Sequence, residues 1–217
     1  MLRSLDLPRL LLLGLVVTAG VASADRGALT VDVGGGMTAL RLGTPFARPQ
    51  VAVNGFAPTV WLGGRYALTN EVEFGVAGFF EPPVTYWHHG VTVPTERGAF
   101  PGTLTHRMHR YGALVGARYL HGMVWRLTVG LDLGWSRRSY SGFLHLDPSS
   151  PAGPIDYELD LPAFRTDNVV LAPVAGIEWA AGDHWSISLL PRLELLLGPD
   201  PTVALTVPLT LSWSWYL

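Results

Sequence analysis

From Ala28 to Leu217, apolar and polar residues alternate with the two-residue period of a β-strand. The run Trp125 to Trp135 shows this most plainly. Trp125, Leu127, Val129, Leu131, Leu133 and Trp135 form one face; Arg126, Thr128, Gly130, Asp132 and Gly134 form the other. Its 11 residues match the roughly 9–11 that a tilted strand needs to cross a bilayer. The C-terminus repeats the pattern. Val203, Leu205, Val207, Leu209, Leu211, Trp213, Trp215 and Leu217 alternate with Thr202, Ala204, Thr206, Thr210, Ser212 and Ser214. The same alternation predicts strands over residues 29–42, 59–68, 71–81, 110–119, 169–179 and 185–195, which makes eight in all.

The predicted connections alternate in length. Thr69-Asn70, Gly122 and Gly182-Asp183 mark tight turns. The other side carries long loops, Gly43–Ala57, Pro82–Thr105 and Arg137–Asp167, and a short one at Gly198-Pro199-Asp200-Pro201. An even strand count returns both chain ends to the tight-turn side. Tyr157 to Leu161 also alternates, so a further pair of strands, ten in all, stays open. Pro173 and Pro191 fall on the apolar face within strands, where each removes a ladder donor and marks a bulge or a local break. Gly34-Gly35-Gly36 suits sharp curvature rather than phosphate binding, because it sits within a strand.

Alternation alone also suits a soluble sandwich. Two features point to a membrane barrel instead. The apolar faces of strands two to eight carry no charge. Their aromatic residues gather at two depths. Tyr66, Phe74, Tyr119, Trp125, Trp179, Trp185, Trp213 and Trp215 lie near the tight turns; Phe80, Tyr111 and Trp135 lie near the long loops. Two such girdles are what the two membrane interfaces select. In lipid only a closed sheet satisfies its backbone, so the expected fold is all-β, a closed antiparallel transmembrane barrel of about eight strands.

Composition agrees with this. Hydrophobic residues make up 48% and charged residues 15%, low against the roughly 25% usual in soluble domains. There is no cysteine, which rules out disulfides. All 15 basic residues are arginine, which reads as genome composition. The formal charge of −2 leaves no basic excess for nucleic acid. At the N-terminus, Arg3 and Arg9 precede the apolar run Leu10 to Val17, and Ala22-Ser23-Ala24 forms a small-residue cleavage site. Residues 1–24 are therefore expected to be a secretory signal peptide, and residues 25–217 the barrel.

With this leader, the eight-strand alternation, the tight turns and the terminal Leu209-Thr-Leu-Ser-Trp-Ser-Trp-Tyr-Leu217, the mature chain resembles the small bacterial outer-membrane barrels typified by OmpA, OmpX and OmpW. The resemblance implies residence in the outer membrane, with outer-membrane lipid and lipopolysaccharide around a monomer. It also implies that the last strand is read by the barrel-assembly machinery. In that family this strand usually ends in an aromatic residue; here Leu217 follows Trp215-Tyr216.

A barrel of this size is only just wide enough for its own side chains. The inward positions include Arg65, Arg118, Arg126 and Arg192, balanced by Glu73, Asp132, Glu178 and Glu194. Arg65 and Glu73 are expected to face each other about the Thr69-Asn70 turn. Arg118 and Arg126 are expected to oppose each other about Gly122, a like-charge pair that needs a carboxylate between them, for which Glu178 is a candidate. These groups make either a packed ion-pair network or a narrow polar channel. His88-His89 and His106-x-x-His109 flank one loop, but the second spacing puts its two rings on opposite faces of a strand, which argues against a metal site. Ser139, Ser141, His145 and Asp147 carry the residue types of a lipid-modifying enzyme without a recognisable motif. Asp147, Asp156, Glu158, Asp160 and Asp167 make an acidic loop suited to divalent cations between lipopolysaccharide head groups, or simply to solvent. The expectation is a non-enzymatic envelope or surface-binding barrel without a cofactor. A narrow channel and a lipid A-modifying enzyme are the alternatives.

Overall fold

The computed structural model describes residues 26–42, 46, 53–96, 98–146 and 158–216. The expected leader, Asp147, Asp156 and Leu217 lie outside the described residues. The strands are β1 (Ala28–Leu42), β2 (Val53–Ala67), β3 (Val72–Thr95), β4 (Gly98–His121), β5 (Trp125–Leu146), β6 (Glu158–Ala180), β7 (Trp185–Leu189), β8 (Arg192–Leu197) and β9 (Thr202–Tyr216). Each pairs antiparallel with its neighbour in sequence, except that β7 and β8 lie end to end and both pair with β6 and β9. β1 pairs with β9 from Ala28↔Tyr216 to Leu40↔Ala204, and this closes the sheet. The result is a ring of eight strands, not ten.

The break between β7 and β8 has a clear cause. Pro191 sits there, and its carbonyl accepts from the Ala175 amide at 3.2 Å, but it has no N–H to return the bond. Pro173 removes another donor on the adjoining strand. The register against β6 is the same on both sides, Ile177↔Leu189 below and Val174↔Arg192 above. The prolines therefore make a local break without a bulge. Close packing at the closing seam explains two of the three consecutive glycines. Inward-facing Gly34 and Gly36 lie against Thr210 and the Val207 carbonyl of β9, where a Cβ would collide with backbone.

Two of the segments expected as long loops, Pro82–Thr105 and the described part of Arg137–Asp167, are largely sheet. β3 and β4 continue as one ladder from Val84↔Met108 to Thr95↔Gly98. β5 and β6 continue to His145↔Glu158, so the alternation over Glu158–Leu161 extends an existing strand, while Tyr157 lies outside the described residues. Beyond Phe80 and Val169, β3 to β6 thus rise as a four-stranded wall on one side of the barrel. β3 passes through two register shifts, at Pro82-Pro83 and at His89-Gly90. Gly90 has φ +65°, the left-handed conformation that glycine adopts without a side-chain penalty.

The apolar band faces outward. Leu127, Val129, Leu131 and Leu133 are exposed on the barrel wall. Tyr66 aligns with Phe74, Trp125 with Trp179, and Trp185 with Trp213 at the tight-turn end. Phe80 aligns with Tyr111 at the other. Trp125 and Trp135 lie ten residues apart on β5. On a strand tilted by about 40° that is about 25 Å, the height of a membrane barrel's apolar band.

Candidate functional site: the barrel interior and its outer rim

Inward side chains fill the barrel at three levels. Nearest the tight turns, Arg65 is the hub. Its Nε and Nη2 clamp the Asp32 carboxylate at 2.8 and 2.9 Å. Nη1 donates to Glu73 at 2.7 Å and Glu178 at 3.0 Å, and Nη2 also reaches the Ser212 hydroxyl at 3.2 Å. All five guanidinium N–H donors are thereby used. Arg126 completes the level by donating to Glu178 at 3.2 Å.

The middle level is apolar and aromatic. Trp61 and Phe79 stack at 5.2 Å and pack with Leu114, Val170 and Ala172. Arg192 lies over the Trp61 ring at 4.2 Å and donates to Asp132 at 2.9 Å. Arg110 lies over the Phe79 ring at 4.7 Å from the other side. Its guanidinium opens the third level, with two donors on Glu81 at 2.5 and 3.0 Å and one on Glu194 at 2.6 Å. Thr206 donates to Glu194 at 2.6 Å, and Thr38 bridges Thr59 and Thr206 at 2.6 and 3.0 Å. Above this, Arg138 reaches Asp200 of the β8–β9 turn at 3.1 Å.

Several expected pairings change. Arg65 and Glu73 are bonded but diagonal, since Glu73 stands opposite Ala67 and Arg118. Arg118 does not oppose Arg126; it faces Gly130, while Arg126 faces Glu178. Glu178 links Arg126 to Arg65 rather than to Arg118. Glu194 belongs with Arg110 and Glu81, two residues absent from the expected network. Their signal was present, because both occupy the inward parity of strands three and four, beyond the expected reach of the ion pairs. The apolar middle level was also missed, because Trp61 and Phe79 look anomalous on a polar face until they are seen together.

The histidines divide between faces. His88 and His106 meet inside the wall, Nε2 to Nδ1 at 3.1 Å with nearly parallel rings, and Tyr86 stacks on His106 at 5.3 Å. Burial, together with the charge of neighbouring His88, pulls His106 down to about 4. His89 bonds Thr103 at 3.2 Å, and His109 stacks with Tyr111 on the outer face. Among the described residues no three metal-ligating side chains gather. On β5, four residues separate Ser141 from His145, about 13 Å along an extended strand, too far for a base to reach its nucleophile. Glu158 and Asp160 lie within β6, and Asp167 is bound to Arg137 at 2.8 and 2.9 Å.

An eight-stranded closed ring, apolar outside and ionic within, is the fold of an outer-membrane β-barrel protein. No known protein-family profile matches the chain, and no curated protein matches it. Solved structures do. OprG from Pseudomonas aeruginosa aligns with 91% of this chain and 100% of its own at a TM-score of 0.51 and 11% identity. Neisserial surface protein A, NspA, aligns with 88% and 100% at 0.50 and 12%. Ail, the attachment invasion locus protein of Yersinia pestis, solved with the heparin analogue sucrose octasulfate, aligns with 88% and 99% at 0.50 and 14%. At such identities the likeness is one of fold.

Proposed function

We propose that this protein is a non-conducting, non-enzymatic outer-membrane barrel that works through its outer wall and loops, exported by a cleaved leader. The observation carrying this reading is the filled interior. Two ion-pair levels and the Trp61–Phe79 layer between them occupy the lumen that a channel would need. A channel needs a continuous wet path. Here every donor of Arg65 is engaged, and Arg110 is buried against two carboxylates. Opening such a path means separating buried ion pairs, which is costly from either side.

The test is conductance of the refolded mature chain in a planar bilayer. A heat-modifiable, inserted protein that passes no current is the expected result. Steady conductance that changes when Glu178 or Arg126 is neutralised would overturn this reading in favour of a gated polar channel.

A further inference from the structure

Just above the outer aromatic girdle, the lipid-facing surface changes from apolar to cationic. The outward row on β5 runs Trp135, Arg137, Ser139, Ser141. Register aligns Ser139 with His109 on β4 and Arg165 on β6, and Ser141 with Arg107 on β4. Arg107, His109, Ser139, Ser141 and Arg165 line an open groove of about 670 Å³ that Pro83 and Phe164 also border. Below it, Arg137 is already neutralised by Asp167, which also accepts from the Trp135 indole at 3.0 Å. Among the described residues no carboxylate pairs with Arg107 or Arg165. The two guanidiniums flank the β5 serines from strands about 10 Å apart. Ser139 stands about 10 Å above Trp135 along the barrel axis, the level of head groups over an interfacial aromatic ring.

We propose that this groove binds a phosphate of the outer-leaflet glycolipid, the phosphorylated disaccharide head of lipopolysaccharide. The inference rests on the reading above that the tall wall faces outward from the outer membrane. The chemistry fits one occupant. Guanidinium forks match phosphate oxygens bidentately, serine hydroxyls supply further donors, and the groove's lower lip is continuous with the apolar band that would carry the acyl chains. A lipid held this way presents phosphate and acyl chain to one wall at the heights where the structure offers arginine and Trp135. The exposed guanidiniums, which no described carboxylate meets, face a densely anionic surface that supplies their counter-charge.

The experiment uses the full mature chain refolded in detergent micelles, with folding scored by heat-modifiable migration and binding by native mass spectrometry. The probes are diphosphorylated lipid A, dephosphorylated lipid A and inorganic phosphate. Diphosphorylated lipid A should bind the native chain, and R107Q/R165Q should bind it roughly tenfold or more weakly while folding normally, because both substitutions are on the exposed wall. R107K/R165K should fall between the two, since lysine keeps charge but loses the fork. Equal binding by native chain and R107Q/R165Q would overturn the site, as would equal binding of dephosphorylated lipid A. Competition by millimolar inorganic phosphate would show a simple anion site and also overturn it. A chain that never reaches the heat-modifiable form would instead overturn the membrane reading on which the site depends.

Discussion

Replacing Arg65 with methionine tests whether the interior is a packed network. The substitution keeps length and much of the volume but removes the charge and all five donors. Asp32 loses both of its arginine bonds, Glu73 loses its 2.7 Å partner, and Glu178 keeps only Arg126. These carboxylates are almost wholly buried. Removing one partner of a buried pair costs about 3–5 kcal/mol, mostly for the charge left behind. Here three carboxylates share the loss, so the upper part of that range is expected. Arg65→Lys should recover less than half, because an ammonium cannot clamp Asp32 and still reach the other two carboxylates. The assay is urea unfolding in lipid vesicles followed by tryptophan emission. Adding Glu73→Gln to Arg65→Met should restore about 1–2 kcal/mol, as the uncompensated charge disappears. Adding Glu194→Gln should restore nothing, since Glu194 answers to Arg110 in another level. A loss below about 1 kcal/mol for Arg65→Met, or equal rescue by the two glutamines, would refute the packed network and its division into levels.

Three further outcomes are expected. Trp61→Ala should cost about 3–5 kcal/mol in the same unfolding assay, through the cavity beside Phe79 and the lost ring under Arg192. Gly36→Val should prevent the chain from reaching its heat-modifiable form, because its Cβ meets β9 backbone, whereas Gly35→Val, whose nearest neighbour is the Thr59 carbonyl at 3.6 Å, should fold. The wall should loosen in acid. His106 titrates at about 4 when folded and near 6.5 when unfolded, so the unfolded wall takes up the proton first. The wall is at full stability above about pH 6.5, loses about 3 kcal/mol as the pH falls to about 4, and changes little from this group below that. Hydrogen exchange of the β3–β4 extension at pH 7 and pH 4.5 measures it, and an unchanged pH response in His106→Gln would exclude His106 as the cause.

Much of the membrane-level fold was legible because lipid imposes one rule on every strand. Each must present apolar residues outward, and a period-two pattern with constant parity records that. The expected faces of residues 125–135 and 169–179 therefore match the outward and inward positions in the structure. The interior was less legible. Alternation places Arg65, Arg118 and Arg126 inside, but which carboxylate each meets depends on stagger around the ring. Glu178 reaches Arg65 although 113 residues separate them. Reflection about a turn placed Arg118 opposite Arg126, whereas the Gly122-Met123-Val124 connection shifts Arg118 against Gly130. A two-residue displacement of the turn centre keeps the parity, so it is invisible in the pattern, yet it moves the partner by four residues.

The outer wall was misread for a reason that also locates the membrane. On β4 the inward positions run Arg118, Leu114, Arg110 and then Met108, His106, Leu104, while the outward ones run Tyr119, Val115, Tyr111 and then His109, Arg107. On β5 the inward residues pass from Asp132, Ser136 and Arg138 to Tyr140, Leu144 and Leu146; the outward ones pass from Leu133 and Trp135 to Arg137, Ser139 and Ser141. Neither strand changes its own parity at this point. What changes is the solvent. Below Tyr111 and Trp135 the outside is the apolar band and the inside holds most of the ions; above them the outside is polar, and the inside, past Arg138, is a core of Tyr86, Met108, Tyr140 and Leu196 beside the His88–His106 pair. A period-two pattern whose apolar phase inverts midway looks like the end of a strand, and so these segments looked like loops. The inversion falls at one height on both strands, directly above the outer girdle. Two independent features, aromatic placement and the phase of alternation, therefore mark the same boundary, and Arg107 and Arg165 stand in the first rows beyond it.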